Sequence, residues 1–250
     1  MSTVPEIKTH FKEAPINRKT QPKNGIVQLV TLLEPRSTVS EAYRILKTNL
    51  TFKNVEGQLK YIAVTSSLPG EGKTTTAANL AITLAQGGKK VFLVDADLRK
   101  PTLHKIFGLG SFGGLTNLLI DDKDPLELAK SFENYSLKVL TAGPLPPNSS
   151  ELLASRRMKT VLEQIGKVAD FVIIDCPPTL GLNDVLVLAP VVDGYLMVVG
   201  SGKVPRNALR QAKEQLEKVG ANLIGAIVNN VDLRHTHGSY YYYSDYGEHQ

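Results

Sequence analysis

Three short stretches of this sequence place phosphate-binding or acidic residues at the end of an apolar run. The first is SSLPGEGKTTT. Ser67-Leu68-Pro69-Gly70-Glu71-Gly72-Lys73-Thr74 fits the phosphate-loop (Walker A) pattern G-x-x-x-x-G-K-[ST], with serine at the first position. Serine is compact enough to leave the turn possible. Gly70 and Gly72 permit backbone conformations in which successive N–H groups point inward at phosphate oxygens. A helix starting near Thr74 adds its positive end. Lys73 can reach the β- and γ-phosphates, and the Thr74 hydroxyl can ligate Mg²⁺. The expected nucleotide site is thus Ser67, Pro69, Gly70, Glu71, Gly72, Lys73, Thr74 and Thr75.

The other two stretches are acidic. VFLVDADLRKP sets Asp95 and Asp97 at the end of a hydrophobic run, on one face for as long as the chain stays extended. FVIIDCPP sets Asp175 at the end of another, like a Walker B carboxylate. Strand-end aspartates also serve as helix caps. In open α/β sheets, however, ligands bind beyond the carboxyl ends of the strands, where these acids and the glycine loop would converge. Mg²⁺ needs few hard oxygen ligands and keeps several waters, so Thr74, Asp97 and Asp175 with nucleotide phosphates suffice. Together these residues predict binding of ATP or GTP with Mg²⁺.

The elements that must carry them are rhythmic. YIAVTS (61–66), VFLVDAD (91–97), LKVLTAG (137–143), FVIIDCPP (171–178), GYLMVVGS (194–201) and LIGAIVNN (223–230) read as buried strands. TTTAANLAITLAQ and PRNALRQAKEQLEKVG read as helices between them, and STVSEAYRILKTNLTF as an earlier helix with Ala42, Ile45, Leu46 and Leu50 at helical spacing. Continuous apolar strands alternating with amphipathic helices predict an α/β fold of the P-loop NTPase type. Its sheet is expected to be mainly parallel, doubly wound and flanked by helices. Residues 1–36 hold four prolines among polar residues and read as a mostly irregular arm, with IVQLV (26–30) a short strand. Residues 37–231 form the expected catalytic domain, and 232–250 a flexible tyrosine-rich tail.

Bulk properties narrow the class. The formal net charge is +5, and part of the excess lies in the first 23 residues, where Lys8, Lys12, Arg18, Lys19 and Lys23 face only Glu6 and Glu13. That suits loose attraction to an anionic membrane surface or a solvated arm. No interleaving of basic and aromatic residues points to nucleic acid. Cys176 is the one cysteine, which excludes an intramolecular disulfide and suits a reducing compartment. No signal-peptide core opens the sequence, and no apolar stretch reaches the roughly 20 residues of a membrane span. A soluble protein is expected, with any membrane role supplied by a partner.

In their order, SSLPGEGKTTT, VFLVDADLRKP and FVIIDCPP, followed by a tyrosine-rich C-terminus, resemble the bacterial tyrosine kinases (BY-kinases). In particular they look like the separate cytoplasmic kinase subunits of Gram-positive capsule and exopolysaccharide systems. The resemblance covers residue 34 to the end. Asp95, Asp97, Arg99, Lys100 and Pro101 match the family's second acidic motif, and TAGPLPPNSSELL its proline-containing segment. Glu41, Arg44 and Lys47 match an E-x-x-R-x-x-R/K pattern that implies subunit contact. ParA/MinD-type partitioning ATPases are the rival reading, an ATPase switch without protein kinase activity. They carry a lysine where this chain has Leu68, and as a rule lack the terminal tyrosines.

The resemblance implies an ATP- and Mg²⁺-dependent protein-tyrosine kinase. Its acceptors are Tyr240, Tyr241, Tyr242, Tyr243 and Tyr246, phosphorylated between subunits of a ring-like homo-oligomer. It also implies a transmembrane activator that recruits the chain to the inner face of the plasma membrane, a cognate tyrosine phosphatase, and a role in polysaccharide synthesis and export. Each phosphotyrosine adds about −1.5 to −2 charges, so five turn a basic chain acidic and favour repulsion between neighbours. A tyrosine hydroxyl with a pKa near 10 must lose its proton as it attacks. Asp97 is the candidate base or a metal ligand, Asp95 the other choice, and Asp175 orients the metal. Arg99 is a candidate contact to nucleotide or neighbour, Asn229 to adenine, and Cys176 a small buried residue.

Overall fold

The computed structural model describes residues 29–54, 57–132 and 135–231; most of the N-terminal arm and the whole tyrosine cluster lie outside them. Its centre is a seven-stranded sheet in the order β3-β4-β2-β5-β1-β6-β7. The strands are β1 (Tyr61–Ser66), β2 (Val91–Asp95), β3 (Lys130–Ser131), β4 (Leu137–Leu140), β5 (Phe171–Asp175), β6 (Gly194–Gly200) and β7 (Leu223–Asn229). All neighbours run parallel except the two-residue β3, which pairs antiparallel with β4 at the edge.

The central strands are uninterrupted apolar runs because both faces are covered. Ile62 and Val64 of β1, with Val91 and Leu93 of β2, point into one core; Ala63, Phe92 and Val94 point into the other. The first core is roofed by α1 (Val30–Leu33), α2 (Thr38–Lys53), α3 (Lys73–Gln86) and α4 (Leu103–Ile106). The second lies under α5 (Leu115–Ile120), α6 (Pro125–Leu128), α7 (Ser149–Leu153), α8 (Arg156–Gly166) and α9 (Arg206–Lys218). Helix α8 is capped by Ser155, whose side chain accepts from Met158 N–H, and buries Met158, Val161, Leu162 and Ile165 along one stripe.

Two local expectations change. Val30 opens helix α1 instead of ending a strand, while residues 26–28 of IVQLV lie outside the described residues. On α2 the buried stripe runs through Ser40, Tyr43 and Leu50, with Leu46 packed against the core. Ala42 turns outward and Ile45 is 47% exposed. Tyr43 supplies more apolar area than Ala42, so the helix settles about one residue round from the expected face.

Candidate active site

Strand β1 delivers the chain to the phosphate loop and α3 leaves it, so the loop stands on an interior strand of the sheet, between β5 and β6. Gly70 and Gly72 adopt φ of +83° and +94°, the left-handed region that disfavours other residues. Gly72 caps α3, and a Cβ there would meet Asn229 Nδ2 at 2.0 Å, whereas one on Gly70 meets nothing within 4 Å. Gly72→Ala is therefore expected to cost about 1–2 kcal/mol for its backbone alone and to push Asn229 away besides. Thermal denaturation should show Gly70→Ala as the milder of the two; equal losses would mean that the Asn229 contact contributes nothing.

Asp95 and Asp175 are register partners on adjacent strands, at the carboxyl ends of β2 and β5. The chain turns immediately after Asp95, so Asp97 lies beyond the strand. Asp97 N–H donates to Asp95 Oδ1 at 3.2 Å, and Asp95 Oδ2 accepts from Thr102 and Leu103 N–H at 3.2 and 3.1 Å. Asp95 thus organises the loop that carries Asp97. Burial, then the charge of Asp175, pushes the Asp95 carboxyl well above the usual range, against the opposing pull of Leu103 N–H and Lys73.

Lys73 bridges the cluster. Its Nζ donates to Asp97 Oδ2 at 2.8 Å and stands 3.7 Å from Asp175 Oδ1, with Thr74 Oγ1 at 3.4 Å. Burial disfavours the ammonium charge, but Asp175, Asp97 and Asp95 outweigh it, and the amine stays protonated. The Asp175 pair is Coulombic only, since 3.7 Å exceeds a hydrogen bond. Both Asp175 oxygens are buried without a hydrogen-bond partner. Burial lifts this carboxyl to about 6, although Lys73 and Thr74 pull it down.

Unsatisfied buried carboxylate oxygens beside a lysine and a threonine hydroxyl fit a hard cation. Among the described residues no three His, Cys, Asp or Glu side chains form a metal cage. Mg²⁺ shared with phosphates does not need one.

A family model described as an AAA domain matches residues 59–224. Tyrosine-protein kinase YwqD of Bacillus subtilis (strain 168) is 44% identical over 215 residues, which span 86% of this chain and 90% of that protein. Putative tyrosine-protein kinase CapB of Staphylococcus aureus is 38% identical over 223 residues, or 89% and 98% of the two chains. The chain belongs to the bacterial tyrosine kinases. Among solved structures, the chimerical protein CapA2B2 superposes on the kinase with a TM-score of 0.78 at 37% identity, covering 81% of this chain and 89% of that one. The kinase carries a nucleotide-binding P-loop domain, and no helix among its described residues is long and apolar enough to cross a membrane.

Other candidates fall into place around the loop. Arg99 Nε and Nη2 donate to Asp184 Oδ2 and Oδ1 at 2.7 and 2.9 Å, and Ser150 Oγ also bonds Asp184. Asp184 is fully buried, which alone would raise its carboxyl; the hydrogen bonds from Arg99 and Ser150 bring it below the ordinary value instead. Nothing in the sequence marked Asp184, which follows no motif and meets Arg99 only through folding. Asn229 Nδ2 donates to Glu71 O at 2.9 Å, which puts that side chain against the phosphate loop. Cys176 is fully buried, and burial, then Asp175, pushes its thiol well up, so the kinase has no thiolate nucleophile there.

Glu41, Arg44 and Lys47 lie within the first three turns of α2, on the first core's outer helix, and among the described residues share no hydrogen bond or ion pair with this cluster. Arg44 pairs with Glu41 and also bonds Pro35 O. Both side chains are about half exposed, so the pair adds little stability, roughly 0.3–0.5 kcal/mol. The five tail tyrosines lie outside the described residues.

Proposed function

We propose that this kinase transfers the γ-phosphoryl group of Mg²⁺-bound ATP to the tyrosines of its own C-terminal cluster, supplied by a neighbouring subunit. The observation that carries the reading is the Lys73 ammonium held 2.8 Å from Asp97, beside Asp175 carboxylate oxygens that lack hydrogen-bond partners, at the root of the phosphate loop.

The loop from Ser67 to Thr75 holds the nucleotide's phosphates through its free amides, and Lys73 neutralises charge on the transferred group. Thr74, Asp175 and, unless it is the base, Asp97 would hold Mg²⁺, which would supply charge neutralisation at the phosphates. Asp97 takes the proton of the attacking tyrosine hydroxyl. Asp95 is the weaker candidate for that step, because its two oxygens serve three backbone N–H groups, whereas those of Asp97 serve one backbone N–H, that of Lys100, and the side-chain ammonium of Lys73.

Residues 1–36 act as an arm, 37–231 as the catalytic domain, and 232–250 as the acceptor tail bearing Tyr240, Tyr241, Tyr242, Tyr243 and Tyr246. Subunits meet in a ring through Glu41, Arg44 and Lys47. Val39, Ile45 and Phe52 of the same helix are 51%, 47% and 72% exposed, an apolar surface that a second copy would cover. A transmembrane activator recruits the kinase to the inner face of the plasma membrane, in keeping with the chimeric name of the solved relative CapA2B2. A cognate phosphatase resets the tail, and the cycle of modification regulates capsular or exopolysaccharide synthesis and export.

Peptide mass spectrometry of the purified chain before and after ATP and Mg²⁺ tests this. Phosphate is expected on residues 238–250, rising with protein concentration and absent from Lys73→Met. ADP release with an unmodified tail, whether the chain is alone or fused to an activator's cytoplasmic segment, would sink the acceptor assignment.

A further inference from the structure

We propose that Glu71 is a positioning residue for nucleotide binding: its buried carboxylate and its main-chain carbonyl fasten the phosphate loop to the ends of β6 and β7 and shape it before nucleotide arrives. The inference rests on the nucleotide reading above. The motif leaves this position open to any residue, and a glutamate between two glycines of a surface loop would ordinarily face solvent.

Here it does the opposite. Pro69 and Gly70 are exposed, whereas Glu71 is only 1% exposed. Its Oε1 accepts from Leu68 N–H at 2.6 Å, inside the same loop, and its Oε2 from Gly200 N–H at 2.9 Å, at the end of β6. Its main-chain carbonyl accepts from Asn229 Nδ2 at 2.9 Å, at the end of β7. Gly200 and Asn229 are register partners, and Ser201 N–H donates to Asn229 O at 2.8 Å. One residue therefore joins the loop to two strands far away in sequence.

Left to itself, a loop with two left-handed glycines samples many shapes, and binding must order it at an entropic cost. Two charge-assisted hydrogen bonds from one buried carboxylate remove much of that freedom in advance. They also engage Leu68 N–H and leave phosphate recognition to the amides that follow. Glutamine cannot replace this arrangement, because its amide nitrogen would set a donor against one of the two N–H donors. Aspartate keeps the charge but is one methylene shorter, so it reaches one partner at most.

The test titrates Mg²⁺-ATP calorimetrically into the full chain and measures transfer as a function of ATP concentration, beside the melting temperature without nucleotide. Glu71→Gln is expected to weaken ATP binding about tenfold or more, and Glu71→Asp by less. Transfer should fall through a raised KM for ATP more than through kcat, and the nucleotide-free chain should melt only modestly lower, since a buried N–H loses its charged acceptor. Wild-type affinity in folded Glu71→Gln overturns the inference, as does a loss expressed wholly in the melting temperature. Should Glu71→Gln not fold, Glu71→Asp decides by the same readings. Absence of ATP binding by the wild-type chain overturns the nucleotide reading and this inference with it, so the two failures are told apart.

Discussion

Lys73→Met is expected to lower phosphoryl transfer to the tail by about a thousandfold, as removal of a preorganised charge at the transferring group does elsewhere. Methionine matches the reach and bulk of lysine, so the loop keeps its packing and loses only the ammonium. The ammonium is also what holds the two acids together: Nζ is 2.8 Å from Asp97 Oδ2 and 3.7 Å from Asp175 Oδ1, with the lysine 12% exposed. Without it, two buried carboxylates face each other. Removing one partner of such a cluster costs up to about 3 kcal/mol, limited because an aspartate can take up a proton instead. Both losses should appear together, in mass spectrometry of the tail and in thermal denaturation. A variant that retains a tenth of wild-type transfer would remove Lys73 from the chemistry.

Asp175→Asn should separate the two effects. Transfer is expected to fall at least a hundredfold, because on the proposed reading Asp175 is an anionic ligand of the metal, and its oxygens have no hydrogen-bond partner of their own. Stability of the nucleotide-free chain should instead rise, by about 1–2 kcal/mol at pH 8, since an ionised and fully buried carboxylate is replaced by a neutral amide. The pH dependence has a definite sign. Burial raises the native carboxyl from 3.8 to about 6, so the folded chain binds this proton more tightly than the unfolded one. The stabilisation from that proton is fully present below about pH 4 and is lost as pH rises through 6. The advantage of Asp175→Asn over wild type should therefore shrink as pH falls through 6. A variant less stable than wild type at pH 8 would mean that Asp175 supports the fold instead of straining it. Strain of this kind at a working site is a common trade of stability for activity.

Much of the molecule was legible in the residues because local rules and the global fold agree there. The phosphate loop needs two left-handed residues, a lysine and a hydroxyl at set spacing, and Gly70, Gly72, Lys73 and Thr74 announce it. Strands buried on both faces must be apolar throughout, so β1, β2, β5 and β6 read directly, with Asp95, Asp175 and Gly200 closing β2, β5 and β6; β7, expected as a buried strand, is a half-exposed edge strand instead. The register that sets Asp95 against Asp175 was not legible, because strand pairing is decided by packing between segments some eighty residues apart.

Polar residues with distant partners were hidden for the same reason. Asp184 looks like any loop aspartate until Arg99 and Ser150 close on it, and Glu71 like a solvated spacer until Gly200 arrives at the end of β6. The face of α2 was misjudged because periodicity shows that a stripe exists but not which side chain buries most area. By itself, then, the sequence determined the fold class and the phosphate loop, since these depend on residue type and short spacing. Tertiary structure alone decided which buried carboxylates are paired, which are left bare, and what holds the loop in shape, since a hydrogen bond between remote segments leaves no periodic trace.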